Sequence, residues 1–194
     1  MKRITRNLGS FLILIYVSAI AWSTPSMGVL TVNAADPSAY MQWVRGSGIA
    51  IGQSVSAVSG GICLASNGYY EPGELYYWHL WDSHESAFGA VPYNPTVMSE
   101  LKKLNVERVV NRSDSLGVLM GTDTAFEVGD TFTNWNLLIS TDQPAQYVSV
   151  VKKMLVTAEN NGFPDIRAQV YSYNTGDNAG DLLAVIQADD AARL

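Results

Sequence analysis

Two hydrophobic periods alternate along the chain, and their order predicts its elements. Short runs rich in β-branched and aromatic residues at 29–34, 61–67, 74–81, 136–141, 166–173 and 181–188 read as strands. Between the fourth and fifth of these, Tyr147, Val148, Val151, Met154, Leu155 and Ala158 recur at three- and four-residue spacing, which predicts an amphipathic helix over 145–160. Asn161-Gly162 stops it, and Asp142-Gln143-Pro144 starts it with an acid and an early proline. Asp36-Pro37 starts a matching helix that presents Tyr40, Met41, Trp43 and Val44. Gly46 and Gly48 lower helix propensity there, so this helix is expected to be shorter or irregular. Glu71-Pro72-Gly73 and Asn178-Ala179-Gly180 mark turns between paired strands. Asp82-Ser83 opens a further helix, broken at Pro92 and Pro95 and resumed over 98–104; residues 106–111 and 115–120 then give a closing strand or a bent pair.

The halves repeat. Laying each residue on the one 107 places later pairs Leu30 with Leu137, Pro37 with Pro144, Tyr40 with Tyr147, Val44 with Val151, Asn67 with Asn174, Gly73 with Gly180, Leu75 with Leu182 and Asp82 with Asp189. One constant offset serves them all, and each falls where an element boundary is expected, which favours duplication over generic strand and turn chemistry. The order in the first copy is βαββαβ, the ferredoxin-like arrangement with both helices on one face of an antiparallel sheet. Its other face needs a partner, and a second copy supplies one. The expected fold class is therefore α+β: tandem ferredoxin-like modules, 24–125 and 126–194, forming an intramolecular, pseudo-dimeric α/β barrel.

The runs V-N-A-A-D-P-x-x-Y at 32–40 and P-G-E-L-Y-Y-W at 72–78 carry a family likeness. The chain resembles the dimeric α/β-barrel superfamily of antibiotic-biosynthesis-monooxygenase-like and stress-responsive barrel proteins, exported members in particular, over about 29–194. The resemblance implies two modules with sheets closed face to face; it carries a fold rather than an activity. One departure stands out. The second copy reaches Asp189-Asp190-Ala191-Ala192-Arg193-Leu194 where its second helix should begin, so that module is expected to be C-terminally incomplete and the sequence a fragment.

Residues 1–23 read as a secretory signal. Lys2, Arg3 and Arg6 precede an apolar run over 11–22, and Ala21-Trp22-Ser23 is a small-x-small cleavage site. That run has twelve residues against the roughly twenty needed to span a bilayer, so cleavage and release to the periplasm or the extracellular medium are expected, with no permanent span. Val32-Asn33-Ala34 is a second possible cleavage site, but cutting there would remove the first strand. Loss of three cations and no acids takes the formal charge from −6 to −9, which disfavours nucleic acid as a partner. Cys63 is the single cysteine, so no internal disulfide forms; it reads as a small buried hydrophobe.

Chemistry is sparse. No nucleophile triad, phosphate-binding loop, dinucleotide fingerprint or paired-cysteine metal signature is present. Both histidines fall in one aromatic stretch, Tyr76-Tyr77-Trp78-His79-Leu80-Trp81-Asp82-Ser83-His84-Glu85. On a strand Leu75, Tyr77, His79 and Trp81 share one face, opposite Tyr76, Trp78 and Leu80; comparison with Leu182, Ala184, Ile186 and Ala188 makes the odd-numbered face the drier one. His79 and Tyr77 are the candidate catalytic residues, with His79 a general base or a haem or metal ligand if it faces a pocket. The plainer reading is a hydrogen-bonded histidine in an aromatic wall. Tyr76, Trp78, His79 and Trp81 are the candidate ligand-binding set, with packing as their ordinary role. His84 with Asp82 and Glu85 could suggest a metal cluster, but they coincide with a helix start where such residues cap, so neither a metal site nor a cofactor is expected.

Three functional readings follow. The first is an exported barrel binding a small apolar or aromatic ligand, or a protein, between its modules. The second is a cofactor-independent monooxygenase-like or haem-processing barrel enzyme. The third is a structural or assembly protein, for which a homo-oligomer is expected.

Overall fold

The computed structural model describes residues 24–122 and 127–194. The expected signal segment and its cleavage site lie outside them. Among the described residues the fold is α+β: a curled, seven-stranded antiparallel sheet with four helices. The first half runs β1 (Ser26–Ala34), α1 (Pro37–Ser54), β2 (Ser59–Leu64), β3 (Glu74–Trp81), α2 (His84–Gly89), α3 (Pro95–Leu101) and β4 (Arg108–Met120). The second runs β5 (Thr133–Ile139), α4 (Pro144–Asn160), β6 (Arg167–Tyr173) and β7 (Leu182–Ala188), followed by a 3₁₀ turn (Ala191–Arg193). Strand order is β2-β3-β1-β4-β6-β7-β5. Among the described residues no helix is long and apolar enough to cross a membrane.

Helix α1 corrects the expectation of a short or irregular element, for it runs eighteen residues without a break. Asp36 caps it by accepting the Ala39 N–H at 2.9 Å, and Pro37 sits in its first turn. Tyr40, Val44, Ser47 and Ile51 form its buried stripe. The glycines cost about 1 kcal/mol each in propensity, but Gly48 and Gly52 are where side chains of the sheet come close. A Cβ on Gly48 would lie 4.0 Å from the Tyr77 hydroxyl, and one on Gly52 would lie 3.7 Å from His79 Nε2. Packing and capping outweigh propensity here.

The helices cover one face of the sheet. Val32, Ala34, Tyr40, Val44, Leu75 and Tyr77 form the first core, and Met120, Val151, Ala168, Val170 and Leu182 the corresponding core under α4. Met154, expected on the buried face of α4, is 57% exposed, whereas Tyr147, Val148 and Leu155 pack inward as the spacing required. Of the closing strand or bent pair expected over 106–120, the chain forms a single thirteen-residue strand, β4, whose register slips twice: opposite Thr31/Val32 and between Val118 and Met120. Each slip passes one residue out of the ladder and turns the strand, the geometry of a β-bulge.

The other face of the sheet is concave and turns inward. Met27, Leu116 and Tyr171 are buried at its centre, ringed by half-buried Val29, Trp78, Leu80, Val118, Tyr173, Leu183 and Val185. The curl brings the outermost strands, β2 and β5, towards each other: the Asn134 amide donates to Cys63 Sγ at 3.6 Å. No backbone ladder joins these two strands among the described residues, so a seam runs along the barrel wall.

Candidate functional site

Cross-strand register assembles the inner face in rows. Cys63, Tyr76, Thr31 and Arg112 lie opposite one another across β2, β3, β1 and β4; the next row is Gly61, Trp78, Val29 and Asp114; the next brings Leu80, Met27 and Leu116 to Tyr173. The slip at Thr31/Val32 sets Arg112 and Asp114 on this inner side. Apolar rows thus make up most of this face, and polar residues gather at one end of it.

At that end Arg112 Nε lies 2.6 Å from Asp114 Oδ2, an ion pair whose N–H is too bent for a formal hydrogen bond. Asp114 is 5% exposed and Glu74 is 1% exposed. The Tyr76 hydroxyl donates to Glu74 Oε1 at 2.5 Å, and the Tyr70 N–H donates to Glu74 Oε2 at 3.1 Å. Burial, and then the Glu74 carboxyl beside it, push the Tyr76 phenol well above its ordinary range, so Tyr76 is a donor throughout the physiological range. Burial raises Tyr173 as well, and lifts Tyr171, which donates to Gln169, to about 12. Towards the seam, Gln187 donates to Asn134 at 3.0 Å, and burial pushes the Cys63 thiol up, against a reactive thiolate.

The sequence-derived candidates divide between the two faces. Tyr76 and Trp78 stand on the inner face, Trp78 half-buried in the apolar cluster. Tyr77, His79 and Trp81 stand on the other face, beneath the helices. The Tyr77 hydroxyl and His79 Nε2 are 3.1 Å apart, the His79 and Trp81 rings meet edge to face at 5.8 Å, and Trp81 Nε1 donates to the Val55 carbonyl at 2.8 Å. Burial lowers His79 to about 4, which keeps its ring neutral at pH 7. Tyr76, Trp78, His79 and Trp81 therefore do not line one pocket, and His79 with Tyr77 faces the helix-covered core.

Asp82 and His84 serve the start of α2. Asp82 Oδ1 accepts from Ser86 Oγ at 2.6 Å and Ser83 Oγ at 3.1 Å, and Ser83 caps the Ser86 N–H. The His84 ring stacks on Phe88. Among the described residues no group of three or more His, Cys, Asp or Glu side chains is placed to hold a metal ion. The chain's two histidines are both away from the inner face, so its residues do not fit a histidine-ligated haem in the chamber.

Glu74, Thr31, Arg112, Asp114 and Tyr173 are the residues that sequence reasoning missed. Arg112 and Asp114 fell in the gap between the two strands expected at 106–111 and 115–120. Their opposite charges at a spacing of two were the available signal, since a continuous strand puts such a pair on one face.

A curled antiparallel sheet with helices on one face is a fold that this chain shares with solved structures. The chain is similar in structure to a "putative monooxygenase" from Lactobacillus acidophilus NCFM, with 11% identity and a TM-score of 0.57 over 88% of this chain and 79% of that one. A second "putative monooxygenase", from Fusobacterium nucleatum subsp. nucleatum ATCC 25586, gives 11% identity and 0.57 over 88% and 78%. A "putative chlorite dismutase", TA0507, gives 10% identity and 0.50 over 88% and 82%. At these identities the likeness is one of fold. No family model and no curated protein matches the sequence.

Proposed function

We propose that this is an exported α/β-barrel protein that binds a small apolar or aromatic ligand in the chamber between two tandem modules, 24–125 and 126–194. The observation that carries the reading is the inner face itself. Val29, Trp78, Leu80, Val118, Leu183 and Val185 form one apolar surface that is only half-buried, and its few polar groups gather at one end. An apolar wall with a small convergent polar set is the usual make-up of a small-molecule site. The two-module reading is supported by element positions, since α1 and α4 begin at Pro37 and Pro144 and β3 and β7 end at Trp81 and Ala188, both 107 residues apart. Export rests on the charged, apolar and small-residue zones of residues 1–23.

Titration with a neutral naphthalene probe tests the reading. Enhanced probe fluorescence with micromolar affinity is expected, and Trp78→Ala should weaken it about tenfold, in line with the loss of one aromatic contact. Ile49→Ala, on the outer side of α1 and 51% exposed, serves as the control. No saturable binding, or equal loss in both variants, would count against the chamber.

A cofactor-independent oxygenase is the second reading, favoured by the fold shared with the two structures bearing that name. It uses the same chamber, with Tyr76 and Trp78 as the nearest aromatic groups. Oxygen uptake in the presence of bound aromatic substrates separates it from simple binding.

A further inference from the structure

The polar end of the chamber is unevenly charged. Glu74 and Asp114 bring two carboxyl groups, Arg112 one guanidinium, and Asp114 already engages that guanidinium. Glu74 is 1% exposed and takes hydrogen bonds from the Tyr76 hydroxyl and the Tyr70 N–H, yet among the described residues it forms no ion pair. Buried carboxyl groups are ordinarily balanced by a cation, because an unbalanced charge away from water is costly.

Thr31 adds an independent observation. It stands directly opposite Tyr76 on one side and Arg112 on the other, is 5% exposed, and its Oγ1 has no hydrogen-bond partner. Such an orphaned buried group calls for an explanation. Thr31 and Glu74 are diagonal neighbours on the inner face, at a separation of about 7 Å between backbones, so one small donor group can reach both side chains. Tyr76 borders the position, with its hydroxyl on Glu74.

We propose that this end of the chamber recognises a protonated amine, and that the ligand is a small aromatic or aliphatic amine. The inference rests on the ligand-binding reading above and narrows it to a chemical class. An ammonium group has three donors and no acceptor. It gives one hydrogen bond to Glu74, which has lone pairs beyond those its two partners use, and one to Thr31 Oγ1, while the apolar body of the ligand lies on Trp78, Val29 and Leu80. A carboxylate in the same place meets two carboxyl groups and a guanidinium already taken.

Three matched probes test this by calorimetry on the mature protein: 2-phenylethylamine, 2-phenylethanol and 3-phenylpropionate. The amine is expected to bind at least about tenfold tighter than the alcohol, as one added charge-assisted hydrogen bond would give, with the carboxylate weakest. Glu74→Gln and, separately, Thr31→Val should bring the ratio of amine to alcohol affinity towards one; two variants guard against either failing to fold. Equal affinities for all three probes, or tightest binding of the carboxylate, would overturn the amine assignment while leaving the chamber's ligand binding intact if the naphthalene probe still binds. If the naphthalene probe also fails, the ligand-binding reading falls and takes this one with it.

Discussion

Gly60 of β2 and the His79 ring of β3 occupy a single contact on the helix-covered side of the sheet. A Cβ on Gly60 would lie 2.6 Å from His79 Cδ2 and 3.0 Å from the Trp78 carbonyl oxygen, closer than real side chains approach. Its neighbour Gly61 does the same for the Trp78 ring on the opposite face, where a Cβ would come within 2.7 Å. Two successive glycines thus seat two large rings on the two sides of one strand.

Gly60→Ala is therefore expected to destabilise the protein by about 1–3 kcal/mol through overpacking. Urea denaturation gives the measurement, and an unchanged midpoint would show that the His79 ring has room to move. Gly61→Ala should instead disturb the inner wall, weakening binding of the naphthalene probe.

Stability should depend on pH through His79. Its folded value of about 4 lies below the ordinary 6.5, so the unfolded chain binds the proton more readily. The contribution is fully present above about 6.5, falls as the pH drops from there towards 4, and levels off below, with a total near 3 kcal/mol. In His79→Phe this acid limb should disappear between pH 6.5 and 4. If the variant and the parent lose stability in parallel there, other groups are responsible.

Leu116 is fully buried at the centre of the inner face. Leu116→Ala should cost about 2–5 kcal/mol, the range for an excavated core leucine. The space so opened lies on the inner face, and bulkier aromatic probes are expected to gain affinity relative to smaller ones. A stability loss without any change in probe preference would mean that the chamber and this core site are not continuous.

Under the proposed export, cleavage should leave an N-terminus near Thr24. β1 pairs with both β3 and β4 along its length, and cleavage after Ala34 would remove a strand from the interior of the sheet. Intact-mass measurement of secreted material decides the point, with a start at Ala35 incompatible with this fold.

Much of the fold was legible because local chemistry and tertiary demand agreed. Pro37 and Pro144 both open helices, and β3 has the bounds its aromatic alternation gave, Glu74–Trp81. The length of α1 was misread because propensity counted Gly46 and Gly48 as costs, while the neighbouring Tyr77 hydroxyl makes Gly48 a place of close approach. The site was half legible. Alternation separated Tyr76 and Trp78 from Tyr77, His79 and Trp81, but which face encloses the chamber depends on sheet curvature. Arg112 and Asp114 fell between two expected strands; their charge spacing could have placed them on one face of a strand, but a register slip opposite Thr31 decides which face that is.

The seam between β2 and β5 bears on how the protein behaves at high concentration. Among the described residues each strand has one row of backbone amides and carbonyls outside any ladder, and β5 also exposes Trp135 and Leu138. Because β2 and β5 are different surfaces, docking β2 of one molecule on β5 of the next has no symmetry that would close it, and would grow as a filament. The curl that carries Asn134 to Cys63 turns each edge towards the other within one molecule. Sheet curvature thus acts as the protein's own guard against polymerisation, and conditions that flatten the sheet should be the ones in which it precipitates.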